Sequence, residues 1–282
     1  MMLPALMRPL LPLLMAVLTA EAARADTRAG PWVPTAGASV RLLLSDGPDP
    51  DGGRLGGIEI RLDHGAKTYW RTPGDTGVPT TADFSASRAI TAPVLLYPAP
   101  KAFDDGAGGI AYGYTESLIL PVRLRLDGGA ARLAAKIEFG VCQKNMCMPA
   151  GADLALAPGE GQAEAGLEQR LQAALARVPK PEAYASAGPL AVTAVTMTRT
   201  GKDVALSVTT RVPAGTLAPD LFVEGADVFA TRRISGNGAS EAMFAVSASG
   251  AGARLGEITI TLVAGDKAIE TKLDLDVLAK RP

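Results

Sequence analysis

Histidine is almost missing from this 282-residue chain, with His64 the single example. A zinc site built from histidine and cysteine would have to use it, both cysteines and a carboxylate, so metal chemistry of that kind is not expected. An excess of one charge is missing too. Lys and Arg number 28 against 29 Asp and Glu, a net of -1, with the two signs interspersed. There is no basic face to hold phosphates, which argues against nucleic acid or an anionic membrane as partner. Long apolar runs are absent beyond the N-terminus, and a bilayer-spanning helix needs about 20 such residues.

The N-terminus itself reads as an export signal. Arg8 supplies positive charge, Pro9 to Thr19 is an apolar run, and Ala23-Arg24-Ala25 places small residues where a signal peptidase reads them. The run is too short to span a bilayer, although an uncleaved anchor is the competing reading. The expectation is a signal peptide over 1–25 and a mature chain from about Asp26 with no direct membrane insertion. An alanine- and arginine-rich composition of the kind that high-GC bacterial genomes encode makes the periplasm the expected destination.

What the chain has in quantity is turn residues, 31 glycines and 21 prolines, and apolar residues that alternate. Val40 to Leu44, Gly57 to Leu62, Leu118 to Leu126 and Ala131 to Phe139 read as strands, and Leu154-Ala155-Leu156 closes this first unit. From Glu164 to Arg177 the period changes: Leu167, Leu171 and Leu175 recur at helical spacing, and Pro179 and Pro181 end the run. Alternation returns in Leu190 to Val195, Val204 to Thr209, Ala242 to Val246, Glu257 to Leu262 and Thr271 to Val277. The pattern predicts an all-β protein of two β-sandwich domains, 30–158 and 185–282, joined by a short helical connector over 159–184.

Only two cysteines are present, Cys142 and Cys147, with four residues between them. In an extended strand they would lie about 16 Å apart, whereas a disulfide needs Cα atoms within about 7 Å. If they bond, the chain must turn back between Gln143 and Met146. Closing so small a loop removes little unfolded-state entropy, about 2 kcal/mol against about 4.7 for a hundred-residue loop. A tight loop does, however, keep a resolving thiol beside an attacking one, as exchange through a mixed disulfide requires. Lys144 would lower a neighbouring thiol's pKa and Glu138 would oppose it. Three readings stay open on spacing alone: a redox pair, a fixed staple, or metal binding. For the last, Cys142, Met146, Cys147 and Met148 bring four sulfurs within seven residues, a set suited to Cu(I).

Several ordered motifs narrow the choice. Lys67-Thr68-Tyr69-Trp70-Arg71-Thr72-Pro73-Gly74-Asp75-Thr76-Gly77-Val78-Pro79, Tyr97-Pro98-Ala99-Pro100, Tyr112-Gly113-Tyr114, Leu120-Pro121-Val122 and Gly140-Val141-Cys142 to Cys147-Met148-Pro149-Ala150 together resemble the N-terminal periplasmic domain of the DsbD and ScsB thiol-disulfide reductases. The likeness runs from about Trp32 to Leu156, and the region from 185 onward resembles the second β-domain of longer ScsB-type N-terminal regions. The resemblance implies an immunoglobulin-like sandwich in which Cys142 and Cys147 cycle between dithiol and disulfide, with no metal or organic cofactor. It also implies electrons taken from a membrane-embedded donor and passed to thioredoxin-like periplasmic proteins. In such domains an aromatic loop caps the site; Tyr69 and Trp70, or Tyr112 and Tyr114, are the two candidate sources. The four-residue spacing departs from other members. With no transmembrane conduit or thioredoxin-like domain before Pro282, the electron source is expected to be a separate protein.

Other residues have plainer readings. Pro73 to Gly77 is a turn by its own chemistry, and His64, before Gly65, is expected in a solvated hairpin turn. Cys147, next to Met148-Pro149, is the more exposed cysteine by expectation and the likelier point of partner attack, because Cys142 follows a buried strand.

Overall fold

A computed structural model describes residues 26–49, 51–105, 108–143, 146–201, 203–227, 229–248 and 256–279. The expected signal peptide, 1–25, and the expected influence of Lys144 lie outside the described residues. Among them no helix is long and apolar enough to cross a membrane.

The chain forms two immunoglobulin-like β-sandwiches with a short helix between them. In the first sandwich, one sheet is built on the antiparallel strands Ala38–Pro48, Arg54–Leu62 and Leu118–Leu126, with Ile90–Leu95 at its edge. The facing sheet runs in the order Met146–Leu156, Leu133–Gln143, Ala66–Gly74, Ile110–Tyr114, Lys101–Asp104. Alternation sets the core. Val40 pairs with Ile60 and Leu42 with Ile58, and these inward residues meet Leu133, Ile137, Phe139 and Val141 from the other sheet. Burying one such aliphatic side chain contributes roughly 1.5–3 kcal/mol.

The strand Ala38–Pro48 is buried on both faces, because helix α1, Leu167–Ala176, lies over its outer side. Leu167 and Leu171 dock there against Leu43, Leu55 and Ile119. The helical period predicted a start at Glu164, but the helix begins after Gly166, which has a left-handed backbone (φ 76°). Glu164 instead faces Arg41, which also pairs with the buried Glu59. The two guanidinium–carboxylate contacts fasten the segment before the helix to the sheet. Nor is the connector a free tether. Gln162–Ala163 adds a short strand to the first sandwich, and Lys180–Pro181 pairs in parallel with Lys267–Asp274 of the second.

The second sandwich stacks Ala191–Thr200, Asp203–Arg211, Glu241–Ala248 and Phe229–Ser235 against a sheet of Lys267–Asp274, Glu257–Ala264 and Asp220–Glu224. The strand read over Thr271 to Val277 stops at Asp274. Its side chain accepts hydrogen bonds from the backbone N–H groups of Asp276 and Val277, an N-cap that turns Leu275–Leu278 into a helical turn, α2. Phe222 crosses between the units, 5.9 Å from the Trp70 ring and 4.9 Å, edge-on, from Tyr112. Beside it Arg71 pairs with Glu224 and Glu270.

Candidate functional site

The cysteines sit at the tip of a hairpin. Leu133–Gln143 and Met146–Leu156 pair without interruption down to Gln143↔Met146, with Cys142 directly opposite Cys147. Across a two-residue loop the innermost pair is hydrogen-bonded, so the next pair falls at a non-hydrogen-bonded position, where strands approach most closely. The two Cα atoms are 4.0 Å apart and the sulfurs are joined in a disulfide. The turn-back that bonding demanded is therefore supplied by the strand register itself.

The two sulfurs differ in access. Cys142 is 8% exposed, enclosed between strands, while Cys147 on the outer strand is exposed. Cys142 pairs on its other side with Lys67 of Ala66–Gly74. Side chains opposite each other share a face and those two apart along a strand do likewise, so Lys67, Tyr69, Gly140, Cys142 and Cys147 all stand on the outer face. The Tyr69 hydroxyl lies 2.7 Å from Cys142 Sγ and 3.5 Å from Cys147 Sγ. A disulfide carries no S–H, so the hydroxyl is the donor. Burial first, and the Asp105 carboxylate second, raise the Tyr69 phenol above its ordinary pKa, which keeps that donor protonated.

The ring that carries the hydroxyl is held closely. The Tyr69 backbone carbonyl accepts a hydrogen bond from Thr80 Oγ1 at 2.6 Å. Gly140 lies beneath: a Cβ there would sit 3.0 Å from the tyrosine ring. Gly77, with φ +111°, passes the other side, where a Cβ would fall 2.3 Å from Tyr69 Cε1. The predicted turn Pro73 to Gly77 therefore doubles as a wall of the site. Phe103 from the edge strand Lys101–Asp104 packs on Tyr69 with ring centroids 6.4 Å apart, and Tyr69, Phe103, Ala111 and Cys142 form a small apolar cluster distinct from the main core.

Of the aromatic candidates, only Tyr69 reaches the sulfurs. Trp70, its neighbour in the same strand, points to the opposite face and is fully buried against Phe222. Tyr112 packs on Phe222 from that same side, and Tyr114 donates to the Pro98 carbonyl at 2.8 Å from inside the core. Phe103, which the sequence reading did not single out, completes the aromatic cover; its only signal was an aromatic in a four-residue alternating stretch. The sulfur quartet is not gathered either. Met146 and Met148 alternate with Cys147 and so face away from it, with Met148 beside Gly37. Among the described residues no three His, Cys, Asp or Glu side chains cluster as metal ligands would. His64 is exposed on the turn before Ala66–Gly74, its carbonyl accepting from Gln143 Nε2 at 2.7 Å.

A β-sandwich with a cross-strand disulfide at a hairpin tip, one sulfur open and the other covered by a tyrosine, defines a class of thiol-disulfide protein. Residues 44–158 match the family described as thiol:disulfide interchange protein DsbD, N-terminal. That segment holds the whole hairpin and its aromatic cover. No curated protein matches the chain in sequence. Among solved structures, the crystal structure of the N-terminal periplasmic domain of ScsB from Proteus mirabilis is similar with a TM-score of 0.67 at 20% identity, covering 89% of this chain and 98% of that one. At that identity the likeness is one of fold, and it extends over both sandwiches.

Proposed function

We propose that this protein is a periplasmic thiol-disulfide oxidoreductase of the protein-disulfide reductase type. It carries two electrons between a membrane-embedded donor and thioredoxin-like partners through Cys142 and Cys147. The observation that carries the reading is the asymmetry of the disulfide: Cys147 is open to an incoming thiolate while Cys142, 8% exposed, has the Tyr69 hydroxyl 2.7 Å away.

In the loading step a thiolate of a donor dithiol attacks Cys147 Sγ. The Cys142–Cys147 bond breaks, and Cys142 leaves as a thiolate that the Tyr69 hydroxyl stabilises by a charge-assisted hydrogen bond. The donor's second thiolate attacks its own sulfur in the mixed disulfide and releases Cys147. The donor ends as a disulfide, this protein as a dithiol, and two electrons and two protons have moved. In the unloading step Cys147 thiolate attacks a thioredoxin-like partner's disulfide, and Cys142 then resolves the mixed disulfide, restoring its own bond and leaving the partner reduced. The orientation of the hairpin and the exposure of a single sulfur do the work without a metal or organic cofactor.

Trapping tests this. A Cys142→Ser variant keeps the exposed thiol and lacks the resolving one, so it should accumulate mixed disulfides with thioredoxin-fold proteins offered in oxidised form. Cys147→Ser should trap far less. Equal trapping by both variants, or trapping by neither, contradicts the assignment.

A further inference from the structure

Lys67 faces the site from the strand next to Cys142, opposite it in register, yet the exchange chemistry above does not use it. Its ammonium reaches across the intervening strand Ile110–Tyr114 to the edge strand Lys101–Asp104. There it lies 4.8 Å from the centroid of the Phe103 ring and donates to the Asp104 carbonyl at 3.3 Å. A cation over a phenyl face is attracted by the ring quadrupole, so the same side chain holds both the ring and the backbone next to it. Phe103 in turn packs on Tyr69, whose hydroxyl sits nearer Cys142 Sγ than Cys147 Sγ, 2.7 against 3.5 Å.

The edge strand needs such a hold. It has one neighbour in the sheet and four residue pairs with it, from Lys101↔Gly113 to Asp104↔Ile110. Just past its end the chain is held at Asp105, whose carboxylate accepts from Thr76 Oγ1 at 2.9 Å and from the Gly109 N–H at 2.9 Å. Lys67 secures the last two residues of the strand itself, Phe103 and Asp104, where the ring that steadies Tyr69 is carried.

We propose that Lys67 is a positioning residue: acting through Phe103, its ammonium keeps the Tyr69 hydroxyl on Cys142 and so sets which sulfur leaves as the stabilised thiolate. This rests on the reading that Tyr69 assists Cys142 as leaving group, and the two are separable in one experiment. The rate of reduction of the disulfide by dithiothreitol is measured for wild type, Tyr69→Phe, Lys67→Met, Lys67→Arg and the Lys67→Met/Tyr69→Phe double variant. Methionine keeps an unbranched apolar stem and removes the charge, while arginine keeps a cation able to stack on the ring.

Tyr69→Phe is expected to slow reduction about tenfold or more, the scale of one hydrogen bond to a charged group. Lys67→Met is expected to slow it about two- to fivefold, the scale of one cation–π contact. Lys67→Arg should restore the wild-type rate, and the double variant should be no slower than Tyr69→Phe. If Tyr69→Phe slows the reaction but Lys67→Met does not, the positioning role is wrong and the Tyr69 role survives. If Tyr69→Phe has no effect, the leaving-group reading fails first. Multiplicative slowing in the double variant would overturn the proposal by showing that Lys67 acts on the sulfurs independently. Failure of arginine to rescue would overturn it equally, since a specific lysine geometry rather than a cation on the ring would then be at work.

Discussion

Tyr69 and Trp70 are adjacent in sequence and do opposite things. Successive side chains of a strand point to opposite faces, so one of them had to leave the site, and Trp70 is the one buried against Phe222. Choosing between them required knowing which face carries the cysteines, and that follows only from the register Cys142↔Lys67. Phe103 was less legible still. It lies in a four-residue edge strand bordered by prolines and aspartates, too short for alternation to stand out. A prediction belongs to Tyr69 itself. Its phenol is held above its ordinary pKa by burial and by Asp105, so it should donate at every pH where it stays protonated. The ratio of wild-type to Tyr69→Phe reduction rates should therefore stay flat past about pH 10, where a free tyrosine ionises. A ratio that falls through neutral pH would mean that another group controls the advantage.

Among elements, the hairpin was the most legible. If the two cysteines bond, bond reach requires a chain reversal between Gln143 and Met146, and the paired strands deliver it. The long alternating strands and the leucine-striped helix also appear where their periods placed them, because each buries a continuous face. Boundaries shift where a single residue intervenes: the Asp274 side chain caps a helical turn in place of the last strand residues, and the left-handed backbone of Gly166 delays the start of α1. The edge strands Ile90–Leu95 and Phe229–Ser235 escaped notice because exposed edges need no apolar alternation. The strand Asp220–Glu224 carries a testable charge. Desolvation raises the Asp220 carboxyl above its ordinary pKa, and Arg233 offsets only part of the shift. A carboxyl raised in the folded state binds its proton more tightly there than when unfolded, so its charge costs stability above the folded pKa. That cost vanishes below the unfolded value of about 3.9. Asp220→Asn should raise the melting temperature at pH 7 and lose its advantage below about pH 4. A destabilised variant at neutral pH would show that the attraction of the Arg233 charge outweighs desolvation.

At the scale of the molecule, the two sandwiches are joined by more than the connector. Phe222 is 1% exposed and belongs to the core of the first sandwich although the second carries it. Arg71, one residue from Trp70, is held by Glu224 and Glu270, and its guanidinium lies 4.4 Å from the Trp70 ring centroid. None of this was readable from the sequence, because contacts between domains leave no period in either. Truncating a buried phenylalanine typically costs about 3–5 kcal/mol, so Phe222→Ala should lower the unfolding free energy by that scale, read from the midpoint and slope of a denaturant titration. It should also destabilise the first sandwich, which carries both tryptophans, Trp32 and Trp70, and is followed by their fluorescence, as well as the second. A variant that weakens only the second sandwich would mean that the units are energetically independent.

The claim on which the account depends is that the Cys142–Cys147 bond opens and closes in the folded protein. Redox equilibration of the intact chain against dithiothreitol mixtures, with the thiol count and the fold followed together, measures it directly. The account predicts reversible two-electron reduction with the sandwiches intact and a potential above about -300 mV, as labile exchange pairs have. A bond that is reduced only on unfolding, or only below that potential, would contradict it.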